Sequence, residues 1–199
     1  CAIRPDCVGS PVAAATRPSE EGRTAAPDER PAPALWRLEV RFLGHATLLL
    51  EVEGMRVLTD PFLRSRLGPL QRHGPLPDAR DLAGLDVVII SHGHQDHFDA
   101  ASLAEIPGRP LFVVPRGLGA ATRQATGGAV EEVVEGDRLT VGGLSITALP
   151  ARHWISPGSP RAQPLGYRIA AGVATYFAGD TGPFGGLRDL AGTVDVALL

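Results

Sequence analysis

The chain has 199 residues, 44% of them hydrophobic and 21% charged, which is enough apolar material for one ordinary core and implies a single folded domain. A formal net charge of −3 excludes a general electrostatic pull toward nucleic acid, and no run approaches the roughly 18 apolar residues that a membrane-spanning helix needs. Both cysteines, Cys1 and Cys7, precede the region where folding begins, so neither a disulfide framework nor a Cys-rich zinc module is available.

Residues 1–34 are rich in Pro, Ala, Arg, Thr and Glu without periodicity and are expected to be disordered, leaving residues 35–199 as the folded domain. The start at Cys1 rather than methionine, and the end on the apolar run Val194-Asp195-Val196-Ala197-Leu198-Leu199, predict a C-terminally truncated reading frame. A cytoplasmic location is expected; the alternative is a bacterial lipoprotein anchored through Cys1, with the polar segment as its tether.

From Trp36 to Leu43 the pattern alternates, with Trp36, Leu38, Val40 and Phe42 on one face of a half-buried strand. Strands are predicted over Thr47–Val52 and Met55–Leu58, turned at Gly54, the second ending in Thr59-Asp60-Pro61. Residues 61–80 hold Pro61, Gly68, Pro69, Gly74, Pro75 and Pro77 and predict a long loop, a length more typical of a functional rim than of a plain connection. Asp86–Ile90 is a buried strand, Ala100–Glu105 a short helix, Leu111–Val114 a strand, and Arg116–Thr126 a helix closed by Gly127-Gly128. Strands at 130–134, 138–141 and 144–149, a loop from Pro150 to Pro164, strands at 165–170 and 173–178, a helix near 184–191 and a last strand complete the chain. The expected fold is α/β, two sheets covered by helices.

The chemistry concentrates at Ser91-His92-Gly93-His94-Gln95-Asp96-His97, directly after the apolar run Asp86-Val87-Val88-Ile89-Ile90. It contains three of the six histidines and a carboxylate, an expensive group to desolvate together unless a metal holds it. Imidazoles at i and i+2 on a turn can point at one ion while Asp96 and His97 turn toward a second. Nitrogen with carboxylate oxygen suits zinc, with manganese or iron as alternatives. His153, again just after a strand, is the natural third ligand of the first ion. Asp180, in Gly179-Asp180-Thr181-Gly182, can bridge two ions or serve as a turn or helix-capping aspartate. Asp60 is placed to orient a ligand histidine or to form a turn. His45 either points into the same cleft or hydrogen-bonds backbone, and His73 is expected in solvent. Two divalent ions roughly 3.5–4 Å apart can clamp an ester and supply hydroxide at neutral pH, with Asp96 moving a proton. No serine elbow or folded-region cysteine competes as nucleophile.

These segments resemble the metallo-β-lactamase superfamily. Leu43-Gly44-His45-Ala46-Thr47, Leu58-Thr59-Asp60-Pro61, Pro150-Ala151-Arg152-His153-Trp154 and the terminal apolar run further resemble the branch holding N-acyl-phosphatidylethanolamine phospholipase D, with the ascorbate-phosphate lactonases nearby. The resemblance spans about residues 37–199. It implies an αββα sandwich, incomplete in its second half, and a dinuclear hydrolase, usually of zinc. It also implies His92, His94 and His153 on one ion, Asp96 and His97 on the other, and Asp180 between them. The chain departs from that pattern at Gln95, where the branch often has an aromatic residue. It also has no histidine after His153, whereas the family supplies one more to the second ion. The expected activity is hydrolysis of a phosphodiester or related ester, on a small or lipid-like substrate. A lactonase acting on a sugar-derived ester and an inactive metal-binding half-domain are the alternatives; no nucleic-acid partner is expected.

Overall fold

The computed structural model describes residues 37–156 and 158–199. The expected disorder of residues 1–34, the anchoring role of Cys1 and the start of the first strand at Trp36 lie outside the described residues.

Three antiparallel strands come first: β1 (Leu38–Gly44), β2 (Thr47–Val52) and β3 (Met55–Thr59). The expected loop after β3 contains a small hairpin, β4 (Arg66–Leu67) and β5 (Leu70–Gln71), and one helical turn, α1 (Ala79–Leu82). The hairpin turns at Gly68-Pro69, with Gly68 at φ 54°, and α1 is held by a capping box between Asp78 and Asp81. Strand β6 (Val87–Ile89) then adds parallel to β3. Helix α2 (Ala100–Glu105), strand β7 (Leu111–Pro115), helix α3 (Gly119–Thr126) and strand β8 (Val130–Val133) finish a six-stranded sheet of order β1-β2-β3-β6-β7-β8. Helix α3 starts three residues later than the expected Arg116 because Gly117 sits at φ 103°, a conformation no helix contains. It closes as expected, on Gly127 in the left-handed region.

The second sheet is β13-β12-β11-β10-β9, built from β9 (Arg138–Val141), β10 (Leu144–Pro150), β11 (Leu165–Ala171), β12 (Val173–Phe177) and β13 (Val196–Leu198), with a 3-10 turn at Gly185–Leu190. Because β10 and β12 both run antiparallel to β11, their C-terminal ends share one edge of this sheet.

The buried run at β6 shows how the layers assemble. Val87 and Ile89 face the second sheet and pack with Leu50, Ile146, Tyr167 and Phe177. Val88 and Ile90 face the other way and pack with Leu103, Phe112 and Leu118 of the helical layer. A strand covered on both faces reads as a continuous apolar run, which is how it appears in the sequence. Two bonds tie the sheets together where β6 ends: Leu165 N–H donates to Ser91 O (3.0 Å) and the buried Tyr167 Oη donates to Ile90 O (2.9 Å). Burial raises the Tyr167 pKa well above its ordinary value, so the phenol stays a donor. Among the described residues, the outer face of the second sheet carries only the 3-10 turn, so three layers of the expected αββα arrangement are described.

One expectation is corrected. Val40 and Phe42 do not join Leu38 in the core, and Phe42 is 72% exposed. β1 is the edge strand of its sheet, and Phe42 borders an open pocket with Phe177 and Leu198 of the second sheet instead of packing into the core. Among the described residues no helix is long and apolar enough to cross a membrane.

Ile89→Ala is expected to cost about 2–5 kcal/mol of unfolding free energy, since Ile89 is fully buried between the sheets. Val40→Ala, on the exposed edge, should stay within about 0.5 kcal/mol. Urea titration with an unchanged slope checks both; an equal cost at the two positions would contradict the layer assignment.

Candidate metal centre

The parallel pairing of β3 with β6 puts the residues after each strand side by side. Asp60 follows β3 at φ 35°, a strained conformation for a residue with a side chain. It is pinned by Asp60 N–H donating to Ile89 O (2.9 Å) and by Thr47 Oγ1–H donating to Asp60 O (2.8 Å). The turn aims a fully buried carboxylate at the start of the histidine loop. That carboxylate accepts from Ser91 N–H (2.7 Å), Ser91 Oγ–H (2.5 Å) and His97 Nδ1–H (2.7 Å). The loop must come close to the end of β12, where a Cβ on Gly179 would lie 2.5 Å from that of Ser91, so glycine is required there.

The protons now follow. Ser91 Oγ spends its hydrogen on Asp60, so its 2.8 Å contact with His92 is donation from His92 Nδ1–H. The Nε2 of His92 and, for the neutral ring, the Nε2 of His97 then carry lone pairs into the cleft. His92 Nε2 lies 2.9 Å from His94 Nδ1, which lies 3.0 Å from His153 Nε2. Ser156 holds His94 from behind, its N–H donating to Nε2 at 3.1 Å and its Oγ at 2.8 Å. With Nε2 accepting from Ser156, the one proton of neutral His94 sits on Nδ1, and that proton has to leave for Nδ1 to hold a metal ion.

A second group adjoins the first. His45, at φ 55° in the turn between β1 and β2, brings Nε2 to 2.9 Å from Asp96 Oδ2 and 3.2 Å from His97 Nε2. Asp180 Oδ2 stands between the groups, 3.4 Å from His97 Nε2, 3.6 Å from His153 Nε2 and 4.0 Å from His92 Nε2. Three sets of donors lie close enough to hold an ion: His92, His94, His153 and Asp180; His45, Asp96 and His97; and the buried Asp60, His92 and His97, where Asp60 already accepts from Ser91 and the His97 ring.

The donor set fits a divalent cation. Zinc–nitrogen bonds of about 2.0–2.1 Å in a tetrahedron place ligand atoms roughly 3.3–3.4 Å apart, the scale of the separations here. Lone pairs converging at such distances repel unless a proton or a cation lies among them. Burial first, then the neighbouring imidazoles of His97, His94 and His153, push the His92 pKa down to about 3, so this ring is neutral at physiological pH. Burial, with His153 next, also lowers His94. For His97 burial opposes the charged form, but the Asp60 hydrogen bond and charge, aided by Asp180 and Asp96, outweigh it and raise the pKa. The His45 hydrogen bond holds Asp96 well below the ordinary carboxylate range, against its own partial burial.

Of the eight residues singled out in the sequence as site candidates, seven meet at this cleft and the eighth, Asp60, is buried behind Ser91 and His97. Asp60 takes the orienting position rather than a plain turn role, and His45 reaches the cleft rather than backbone. His45 also does more than stand behind a ligand, because it touches Asp96 and His97 directly. His73 is exposed, as expected. Ser156 and Tyr167 were missed; neither belongs to a local motif, and both act across sequence separations of more than sixty residues.

Two sheets with histidine and aspartate donors gathered where their strands end define a metallo-β-lactamase-type protein. Residues 55–199 match the Beta-lactamase superfamily domain, and the chain belongs to the metallo-β-lactamase superfamily. It is similar to a UPF0173 metal-dependent hydrolase of Thermofilum pendens, 34% identical over 172 residues, covering 80% of this chain and 69% of that protein. More distantly it is similar to N-acyl-phosphatidylethanolamine-hydrolyzing phospholipase D 1 of Caenorhabditis elegans, 30% identical over 171 residues, covering 71% of this chain and 46% of that protein. Among solved structures it is similar to Igni18, a metallo hydrolase from Ignicoccus hospitalis, with a TM-score of 0.65 and 26% identity over 81% of this chain and 70% of that one. The chain spans about half the length, 48%, of the mycobacterial proteins it matches at 35% identity.

His94→Ala, which removes the donor between His92 and His153, is expected to weaken zinc binding by at least about 100-fold. Asp60→Asn, which keeps the shape but frees the His97 ring, should cost about 10–100-fold. Calorimetric titration of the metal-free protein with zinc measures both, with far-UV circular dichroism to confirm folding. Unchanged affinity in His94→Ala would remove His94 from the centre.

Proposed function

We propose that this protein is a metal-dependent hydrolase of phosphodiester or related ester bonds, with two divalent ions, zinc before manganese or iron. The observation that carries this reading is the arrangement around Asp180 Oδ2, with His153 and His92 on one side and His97 on the other at 3.4–4.0 Å. The first ion is assigned to His92, His94 and His153. The second is assigned to Asp96 and His97, with His45 supplying a further nitrogen and Asp180 shared. The name of the C. elegans relative supports a phosphodiester, and that of the T. pendens relative supports hydrolysis in general.

A pair of divalent ions, when bound, supplies Lewis acidity and lowers the pKa of coordinated water to about 7. The chain's own residues do the rest. Asp60 and Ser91 hold His97 and His92 in the tautomers that present Nε2. Asp96, partly open to solvent and 2.9 Å from His45 Nε2, is the carboxylate placed to accept the proton of the attacking water and return it to the departing oxygen. The buried rings of His92 and His97 close one side of the cleft, and His45, Asp96 and Asp180 lie on its partly exposed side, where an ester can approach.

The protein reconstituted with zinc or manganese is expected to hydrolyse bis(p-nitrophenyl) phosphate, to lose that activity in EDTA and to regain it on metal addition. Asp96→Asn should lower kcat by about 10²–10⁴-fold. Absence of turnover on phosphodiester and carboxylic ester substrates, with the metal sites filled, would refute the hydrolase reading.

A further inference from the structure

A cavity of about 700 Å³ opens between the end of β1 and the loop carrying the β4–β5 hairpin, and His45 and Asp96 of the candidate centre line one end of it. That volume is within the roughly 300–1,000 Å³ of cavities that hold small ligands. Its walls include Phe42, Phe62, Leu67, Leu70 and Leu76. Large exposed apolar side chains are few on this protein, and three of the six found among the described residues, Phe42, Leu70 and Leu76, converge here. Apolar surface gathered into one concavity marks a binding site more often than apolar surface scattered singly.

The cavity is built rather than incidental. Arg72, at the far end of the hairpin, donates to three backbone carbonyls: those of Phe62 (2.9 Å), Pro75 (3.0 Å) and Leu43. It thereby straps the loop to the end of β1, one residue before the Gly44-His45 turn. Gly44 is at φ 114°, and a Cβ there would overlap the Arg72 guanidinium, so the strap and the turn require each other. The strap directs three of the Arg72 N–H donors at neutral carbonyls and leaves its positive charge in place. The other arginine in the lining, Arg41, is paired with Asp81 at 2.6 Å. With Arg41 paired, the Arg72 donors turned to backbone and the carboxylate of Asp96 at one end, the apolar side chains are the part of the wall that an uncharged chain or ring can cover.

We infer that this cavity holds the uncharged apolar arm, an acyl chain or an aryl group, of the ester whose reacting centre sits at the His45–Asp96 end. The assignment of the reacting centre rests on the hydrolase reading; occupation of the cavity by an apolar group does not. Specificity then lies in the hairpin loop, which selects substrates by the length of that arm.

Two measurements separate the claims. The neutral fluorophore N-phenyl-1-naphthylamine is expected to bind the metal-free full chain saturably, one per protein, and to be displaced by 1-decanol. Leu70→Asp and Leu76→Asp, at positions 68% and 47% exposed and therefore tolerant of charge, should each weaken that binding by about tenfold or more while melting temperature holds. On the metal-loaded protein, p-nitrophenyl esters or alkyl p-nitrophenyl phosphodiesters of increasing chain length should show KM falling by about three- to fourfold per methylene until the cavity is full. The same two variants should flatten that dependence. Saturable fluorophore binding that both variants weaken, without hydrolysis of any ester, would leave the cavity standing and sink the hydrolase reading. Hydrolysis indifferent to chain length, with fluorophore binding absent or unaltered by the variants, would overturn the cavity assignment alone.

Discussion

A single buried carboxylate organises this molecule's functional edge. Asp60 is removed from water entirely, and an ion so placed costs several kcal/mol unless its lone pairs are satisfied. Three donors meet it, from Ser91 N–H, Ser91 Oγ–H and His97 Nδ1–H. Each of these bonds has a consequence. The backbone bond sets the path of the chain as it leaves β6. The hydroxyl bond leaves Ser91 Oγ able only to accept from His92, and the imidazole bond fixes which nitrogen of His97 faces the cleft. Two of the candidate ligands are therefore oriented by one side chain that touches neither cleft nor solvent.

That carboxylate can do this only because the sandwich delivers it. Parallel pairing of β3 and β6 brings Asp60 level with Ser91, and a strained backbone at Asp60, held by Thr47 and Ile89, turns the side chain across the gap. Across the core, β10 and β12 end at the same edge and supply His153 and Asp180, while Leu165 and Tyr167 of β11 bond the backbone of Ile90 and Ser91 directly. The position of the cleft is thus set by strand register on both sheets. A slip of one residue in either would exchange buried and exposed faces and carry the donors apart.

Much of this was legible in the sequence, for a physical reason. A strand buried on both faces leaves a run such as Val87-Val88-Ile89-Ile90, and residues that follow such a run lie at a sheet edge whatever the rest of the chain does. His92, His94, Asp96, His97, His153 and Asp180 all follow strands in this way, so their convergence could be anticipated from local pattern. What stayed hidden depends on partners distant in the chain. Phe42 alternates like a core residue, but it lies on an edge strand and lines open cavities instead of packing in the core. Ser156 carries no motif, and its contact with His94 exists only when the loop after β10 folds over the cleft. The β4–β5 hairpin is two residues on each side, too short for periodicity, and depends on the Arg72 strap rather than on propensity.

The two donor sets are not equivalent in burial or in charge. Toward the core the cleft is closed by His92 and His97, both fully buried, one ring neutral through burial and the other drawn toward its charged form by Asp60. Toward solvent it is open, bounded by the partly exposed side chains of His45, Asp96 and Asp180. Proton transfer needs a group that water and substrate can reach, and an orienting contact needs one they cannot. Asp60 and Asp96 are the same residue type roughly one imidazole apart, since His97 contacts both. Their environments differ accordingly: the carboxylate enclosed by three donors is shut away from water, whereas the one at the rim is partly exposed, lines the cavity and is held well below the ordinary carboxylate range by the His45 hydrogen bond.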